Sequence, residues 1–167
     1  PLRLLPDLSV YLVLDPDLCG GPDGMVATAA AAARAGARTI QLRDKSATTA
    51  ARTATARRLR AALDGTGAVV IVNDDVDAAL AADADGVHVG QTDMDAAEVR
   101  ARIGPARVLG LSVETPDAAA AIDPALVDYV GAGPVFATAT KPGHAPAVGW
   151  DGLAALVAAA PVPAVAI

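Results

Sequence analysis

Short uninterrupted aliphatic runs, separated by alanine-rich stretches of helical length, constrain this chain more than any other feature. The runs are VYLVL (10–14), TIQL (39–42), VVIV (69–72), GVHV (86–89), RVLGLS (107–112), VDYVG (127–131) and VPAVAI (162–167). Between them, helices are expected near 23–35, 47–63, 75–82, 93–102, 116–122 and 150–159. A strand that faces water on one side alternates apolar and polar residues. Continuous apolar strands that alternate with helices imply a parallel sheet buried on both faces. Aromatic residues make up only 2% of the chain, so its core must be built from Ala, Val, Leu and Ile. Alanine-rich helices suit this, because their small side chains let them approach such strands closely.

A weak internal echo narrows the fold. AGARTIQLR, ADADGVHVG and ALVDYVGAG each run from a small-residue helix end into a strand, at intervals of about two strand-helix units. A quasi-repeating barrel would give this pattern, and so would α/β proteins in general. Seven candidate strands are visible and the seventh runs to Ile167. The expectation is a (β/α)8 TIM barrel forming a single domain over 1–167, incomplete at its C-terminus and lacking its last helix, strand and helix. Ser46 is expected to cap one helix, and Thr115-Pro116 to cap another with proline in its first turn.

Charge and cysteine usage limit the partners. A formal net charge of −6 disfavours a nucleic-acid or anionic-membrane surface, while leaving room for a local cationic pocket. The lone Cys19 cannot form an intramolecular disulfide. With neither a signal peptide nor an apolar run of spanning length, a soluble cytoplasmic protein is expected. There is no Walker loop, no G-x-G-x-x-G after a strand and no zinc-type spacing. His88, in a strand, and His144, in a loop, are expected to be structural, and Cys19 shows no activating partner.

In parallel α/β folds, functional groups gather at the carboxyl ends of the strands. Here those ends carry Gln41, Arg43 and Lys45; then Asn73 and Asp74; then Asp93; then Ser112; and finally the Gly131, Gly133, Thr138, Thr140 and Lys141 of GAGPVFATATKPGH. Taken singly, Asp74 or Asp93 is well explained as a helix cap, and Asp75, Asp77, Asp83, Asp85 and Asp95 are expected only to cap helices or face solvent. Taken together, opposite Arg43, Lys45 and Lys141, Asp74 and Asp93 suit a shared divalent cation. Mg2+ commonly takes one or two carboxylates and completes its octahedron with water and phosphate oxygens. Guanidinium and ammonium groups beside such a metal suit a polyanionic substrate. The Gly/Thr-rich loop has the composition of an anion-binding loop.

QLRDK, NDDVDAALAADADGVHVGQTD, GLS and DYVGAGPVFATATK, in this order and spacing, closely resemble thiamine-phosphate synthase. The resemblance runs from the first strand to the end of the chain. It implies a (β/α)8 barrel that joins 4-amino-2-methyl-5-(diphosphooxymethyl)pyrimidine to 4-methyl-5-(2-phosphooxyethyl)thiazole, releasing pyrophosphate with Mg2+ as cofactor. On that resemblance, Gln41, Leu42, Arg43, Asp44 and Lys45 line the pyrimidine diphosphate site and Asn73 contacts the same substrate. Asp74 and Asp93 ligate the metal, and Ser112 and Lys141 add diphosphate contacts. Thr138, Ala139 and Thr140 hold the thiazole phosphate, and Arg43, Lys45 and Lys141 carry the catalytic charge. The family continues beyond the strand matching VPAVAI into a glycine pair and a further loop on the thiazole phosphate, and this sequence ends before either. Two other readings compete. One is a thiazole tautomerase of the same barrel lineage, which has little use for a diphosphate clamp with two carboxylates. The other is a non-catalytic barrel that binds phosphorylated ligands.

Overall fold

A computed structural model describes residues 5–137 and 146–167. Strands and helices alternate along the chain, which divides into two compact units. The first runs through His88 and takes in Ala101–Val108; the second comprises Val89–Arg100 and Leu109–Ile167.

In the first unit, strands β1 (Tyr11–Leu14), β2 (Thr39–Leu42), β3 (Val69–Asn73) and residues 86–88 of β4 (Gly86–Val89) pair in sequence order, all parallel. Every residue of β2 and β4 is buried, as expected for a sheet covered on both faces. Helices α1 (Pro16–Cys19), α2 (Gly21–Arg34), α3 (Thr49–Leu63) and α4 (Val76–Ala81) fill the connections. The helix α2 turns Met25, Ala29 and Ala33 inward, a spacing of four that keeps one face on the strands. Leu59 and Leu63 of α3 join the core, while the buried hydroxyls of Thr53 and Thr55 donate to the carbonyls of Thr49 and Ala51. The helix expected at 23–35 begins two residues earlier and is preceded by the short α1, whose Asp15 cap takes the N–H groups of Asp17 and Leu18.

Two helices of this unit end alike with different residues. Gly36, at φ 109°, follows α2; its N–H donates to Ala33, and that of Ala37 to Ala32. Asp83 follows α4 at φ 52°, with the matching bonds from Asp83 to Leu80 and from Ala84 to Ala79. Both are paired 6→1 and 5→2 closures of a helix end. The Asp83 carboxylate then takes Arg60 and Arg107.

Ser46 does not cap α3. The Thr48 hydroxyl does, accepting from Ala51 N–H at 3.2 Å, because the chain turns helical two residues later than expected. Ser46 instead bonds to the Asp44 carboxylate. The helix expected at 93–102 is α5 (Ala96–Ile103), held at its start by the Asp95 carboxylate and carbonyl. Asp75, by contrast, caps α4 as expected.

The second unit pairs β5 (Val108–Val113), β6 (Tyr129–Ala132) and β7 (Ala164–Ala166), again parallel and in order. Between them lie α6 (Pro116–Ala120), capped by Thr115 as expected, and α7 (Gly149–Ala159). Leu109, Val113, Tyr129, Val130, Ala132 and Leu156 form its core.

The sequence echo has a structural counterpart at the amino ends of the strands. Asp85 donates its N–H to Val70 carbonyl at 3.0 Å and takes Val70 N–H on its carboxylate at 2.8 Å. Asp128, at the corresponding place before β6, does the same with Leu109, at 2.8 Å for both bonds. The same two-bond clasp, one in each unit, ties an even-numbered strand to its odd-numbered predecessor. Among the described residues no helix is long and apolar enough to cross a membrane.

Candidate active site

Register brings together the expected residues of the first unit. Leu14 pairs with Leu42 and Leu42 with Val72, so the chain leaves β1, β2 and β3 side by side at their carboxyl ends. Residues 15, 43–45 and 73–75 follow directly. Asp44, Lys45, Arg52, Asn73, Asp74 and Asp75 line a cleft of about 260 Å3 there. Of the residues expected to line the pyrimidine diphosphate site, Asp44, Lys45 and Asn73 thus share one cleft with Asp74, an expected metal ligand.

The contacts assign each residue a task. Gln41 is buried and its Nε2 donates to the Tyr11 hydroxyl at 2.7 Å. Leu42 is fully buried, leaving its side chain no exposed surface for a ligand. Arg43 lies 3.5 Å from the Asp15 carboxylate, and its N–H donates to Leu14 carbonyl. The Asp44 carboxylate takes Ser46 N–H, Ser46 hydroxyl and Ala47 N–H, so this side chain folds its own loop.

Lys45 Nζ stands 3.7 Å from Asp74 Oδ2, with the two side chains 56% and 32% exposed. At that exposure and distance an ion pair contributes ~1 kcal/mol or less. It can therefore open for a ligand at little cost. Asp74 has φ +62°, a left-handed conformation uncommon outside glycine, and its N–H donates to His88 carbonyl at 2.8 Å. Such a backbone turns the residue away from the direction of the strand it leaves. His88 is buried in β4, in keeping with a structural role.

Arg52 and Asp75 were not expected to matter together. They pair in the lining of the cleft, each 12% exposed. Burial pushes the Asp75 carboxyl upward, but hydrogen bonds from Ala78 N–H, Thr49 and Arg52 outweigh it and hold the carboxyl below its usual range. One signal for Arg52 was present in the sequence: a cation in the opening turns of a helix opposes the helix dipole. Asp15 and Tyr11 gave no such signal, since their roles depend on strand register.

Of the remaining expected residues, Asp93 and Ser112 are described in the second unit. Asp93 Oδ2 accepts from Gly90 N–H at 2.7 Å, and a β-carbon on Gly90 would fall 2.9 Å from the same oxygen. Gln91 reaches across to the Ser112 carbonyl at 2.7 Å. From β6 the chain passes through Gly133 and Pro134 to Val135 and Phe136. Val148 N–H donates to Pro134 carbonyl and Gly149 N–H to Val135 carbonyl, and the Phe136 and Trp150 rings meet edge to face at 5.3 Å. Thr138, Ala139, Thr140, Lys141 and His144 lie outside the described residues.

Comparison with solved structures supplies the class. The chain is similar over 96% of its length to a thiamine phosphate pyrophosphorylase from Pyrococcus furiosus, covering 74% of it, with TM-score 0.82 and 32% identity. It shares fold alone with an N-acetylmannosamine-6-phosphate 2-epimerase from Clostridium perfringens, at TM-score 0.59 and 15% identity over 92% of this chain and 74% of the other. The strand-helix alternation and these likenesses define an α/β enzyme of the (β/α) barrel class.

Sequence relatives refine this. Residues 10–167 match the family described as thiamine monophosphate synthase. A thiamine-phosphate synthase from Laribacter hongkongensis is 48% identical over 166 residues, 99% of this chain and 78% of the relative. Another from Solidesulfovibrio magneticus is 49% identical over 157 residues, 94% and 74% of the two chains. The chain belongs to the thiamine monophosphate synthase family, and is a transferase of thiamine biosynthesis.

Proposed function

We propose that this enzyme couples 4-amino-2-methyl-5-(diphosphooxymethyl)pyrimidine with 4-methyl-5-(2-phosphooxyethyl)thiazole, in the cytoplasm, forming thiamine phosphate and pyrophosphate with Mg2+. The observation that carries this reading is the pairing of Lys45 with Asp74 in one cleft with Asn73. A weak cation–carboxylate pair at the ends of parallel strands suits a ligand that brings negative charge and a divalent ion together.

The donor chemistry fits such an ion. Asp74 and Asp93 offer hard carboxylate oxygens, the donor type Mg2+ takes in ones and twos beside phosphate oxygens and water. Bound by Asp74 and Asp93, Mg2+ would supply positive charge against the departing diphosphate.

The chain's own residues would do the rest. Arg43 and Lys45, joined by Ser112 and Lys141, would donate to diphosphate oxygens as their charge grows, and Asn73 would orient the pyrimidine substrate. Thr138, Ala139 and Thr140 would hold the thiazole phosphate. The bond between the pyrimidine methylene and the diphosphate oxygen breaks with its electron pair going to oxygen. The thiazole nitrogen then forms the new C–N bond with its lone pair and becomes the quaternary cation of the product. No proton is transferred at the reacting atoms, so the reaction needs positioning and electrostatic stabilisation rather than an acid, base or nucleophile.

The test supplies the purified protein with both substrates. Thiamine phosphate and pyrophosphate should form in equal amounts with Mg2+ and cease on chelation. Isomerisation of a thiazole phosphate without coupling would instead support the tautomerase reading.

A further inference from the structure

Arg52 projects from the start of α3 and touches both loops that line the cleft. Its Nε donates to Asp44 carbonyl at 3.1 Å, and its Nη2 donates to the same carbonyl at 2.6 Å and to Ala47 carbonyl at 3.0 Å. Its Nη1 pairs with Asp75 Oδ2. The first three contacts grip the loop that bears Arg43 and Lys45, and the fourth grips the loop that follows Asn73 and bears Asp74. Asp75 is itself fixed, because its Oδ1 accepts from Ala78 N–H at 2.8 Å.

The charge of this guanidinium is matched by the Asp75 carboxylate, so it adds little net field to the cleft. What it contributes is geometry: one planar fork reaches acceptors on two loops in different directions, which a point-charge ammonium cannot do. We propose that Arg52 is a positioning residue, setting the separation of Lys45 and Asp74 and so preparing the cleft for the substrate's diphosphate. This rests on the diphosphate reading given above.

The variants Arg52→Lys and Arg52→Gln test it, with Arg107→Gln as a control that removes an ion pair to Asp83 elsewhere in the same unit. In both Arg52 variants KM for the pyrimidine diphosphate should rise roughly 10- to 100-fold, the scale of a small misplacement of binding groups. KM for the thiazole phosphate should stay at its wild-type value, and calorimetry with Mg2+ and inorganic pyrophosphate should show the same selective loss. Hydrogen exchange should quicken in both 43–48 and 73–76. Arg107→Gln should lower the melting temperature and move neither KM.

Wild-type KM in Arg52→Lys would overturn the proposal, showing that charge alone suffices. A fall in kcat with both KM values intact would overturn it too, as a simple loss of folded enzyme. Should the wild-type protein fail to couple the substrates, the diphosphate reading fails. Exchange then decides the clamp separately: quickening in both loops supports it, and quickening confined to α3 overturns it.

Discussion

Asp128 grips Leu109 twice, its backbone N–H donating to the Leu109 carbonyl and its carboxylate taking the Leu109 N–H. The same carboxylate receives Arg100 at 2.8 Å, with both side chains about 10% exposed. Removing it takes an acceptor from the Leu109 amide and the counter-charge from Arg100, whose Nε keeps its bond to the Leu126 carbonyl. Asp128→Ala should therefore lose ~3–5 kcal/mol, the cost of leaving one member of a buried ion pair alone. Asp128→Asn, which keeps an acceptor, should lose less. Urea unfolding measures both, and equal losses would show that the charge pair rather than the clasp dominates.

The cap of α3 offers a sharper comparison. Thr48→Ala should lower stability by ~1 kcal/mol, the usual value of a capping hydroxyl. Ser46→Ala should change it much less, because the Asp44 carboxylate keeps its bond to Ala47 N–H. Thermal melts of the two variants side by side would reveal any reversal.

The carboxylates of the candidate metal site should separate function from folding. Asp74→Asn and Asp93→Asn are expected to cut Mg2+-dependent coupling by roughly 10²- to 10³-fold, the scale for removing one electrostatic stabiliser. Their melting temperatures should stay near wild type. Wild-type turnover in either variant would remove that residue from the metal assignment.

Gly90 tests the same assignment without touching a ligand. A methyl group there would meet the Asp93 carboxylate at 2.9 Å, and a flexible side chain yields before backbone does. Gly90→Ala should raise the Mg2+ concentration for half-maximal activity by about 10-fold or more, as loss of a supporting contact around a ligand does. An unchanged Mg2+ requirement would mean that Asp93 does not act through that oxygen.

Much of this was legible because the signals are local. Continuous aliphatic runs gave the seven described strands to within about two residues, and β2, β4 and β6, buried at every position, leave no room for polar alternation, whereas β1 and β7 are more exposed. Thr115-Pro116 marked a helix start because both residues act within a single turn. Ser46 failed for a related reason: Asp44 competes for the same hydroxyl, and side-chain choice between two nearby partners is settled only in three dimensions. The Leu42 side chain is buried while that of Arg43 reaches Asp15, because a strand sends successive side chains to opposite faces. Arg52 and Asp75 stayed hidden because their link spans residues twenty-three positions apart.

The backbone at Asp74 bears on how this lineage can diverge. With φ at +62°, the position tolerates asparagine or glycine more readily than a longer or β-branched side chain, whatever charge that side chain carries. Replacements at this position would drift first to Asn or Gly, and glutamate would be a poor substitute despite its carboxylate. Main-chain geometry here filters the available replacements before selection on chemistry begins.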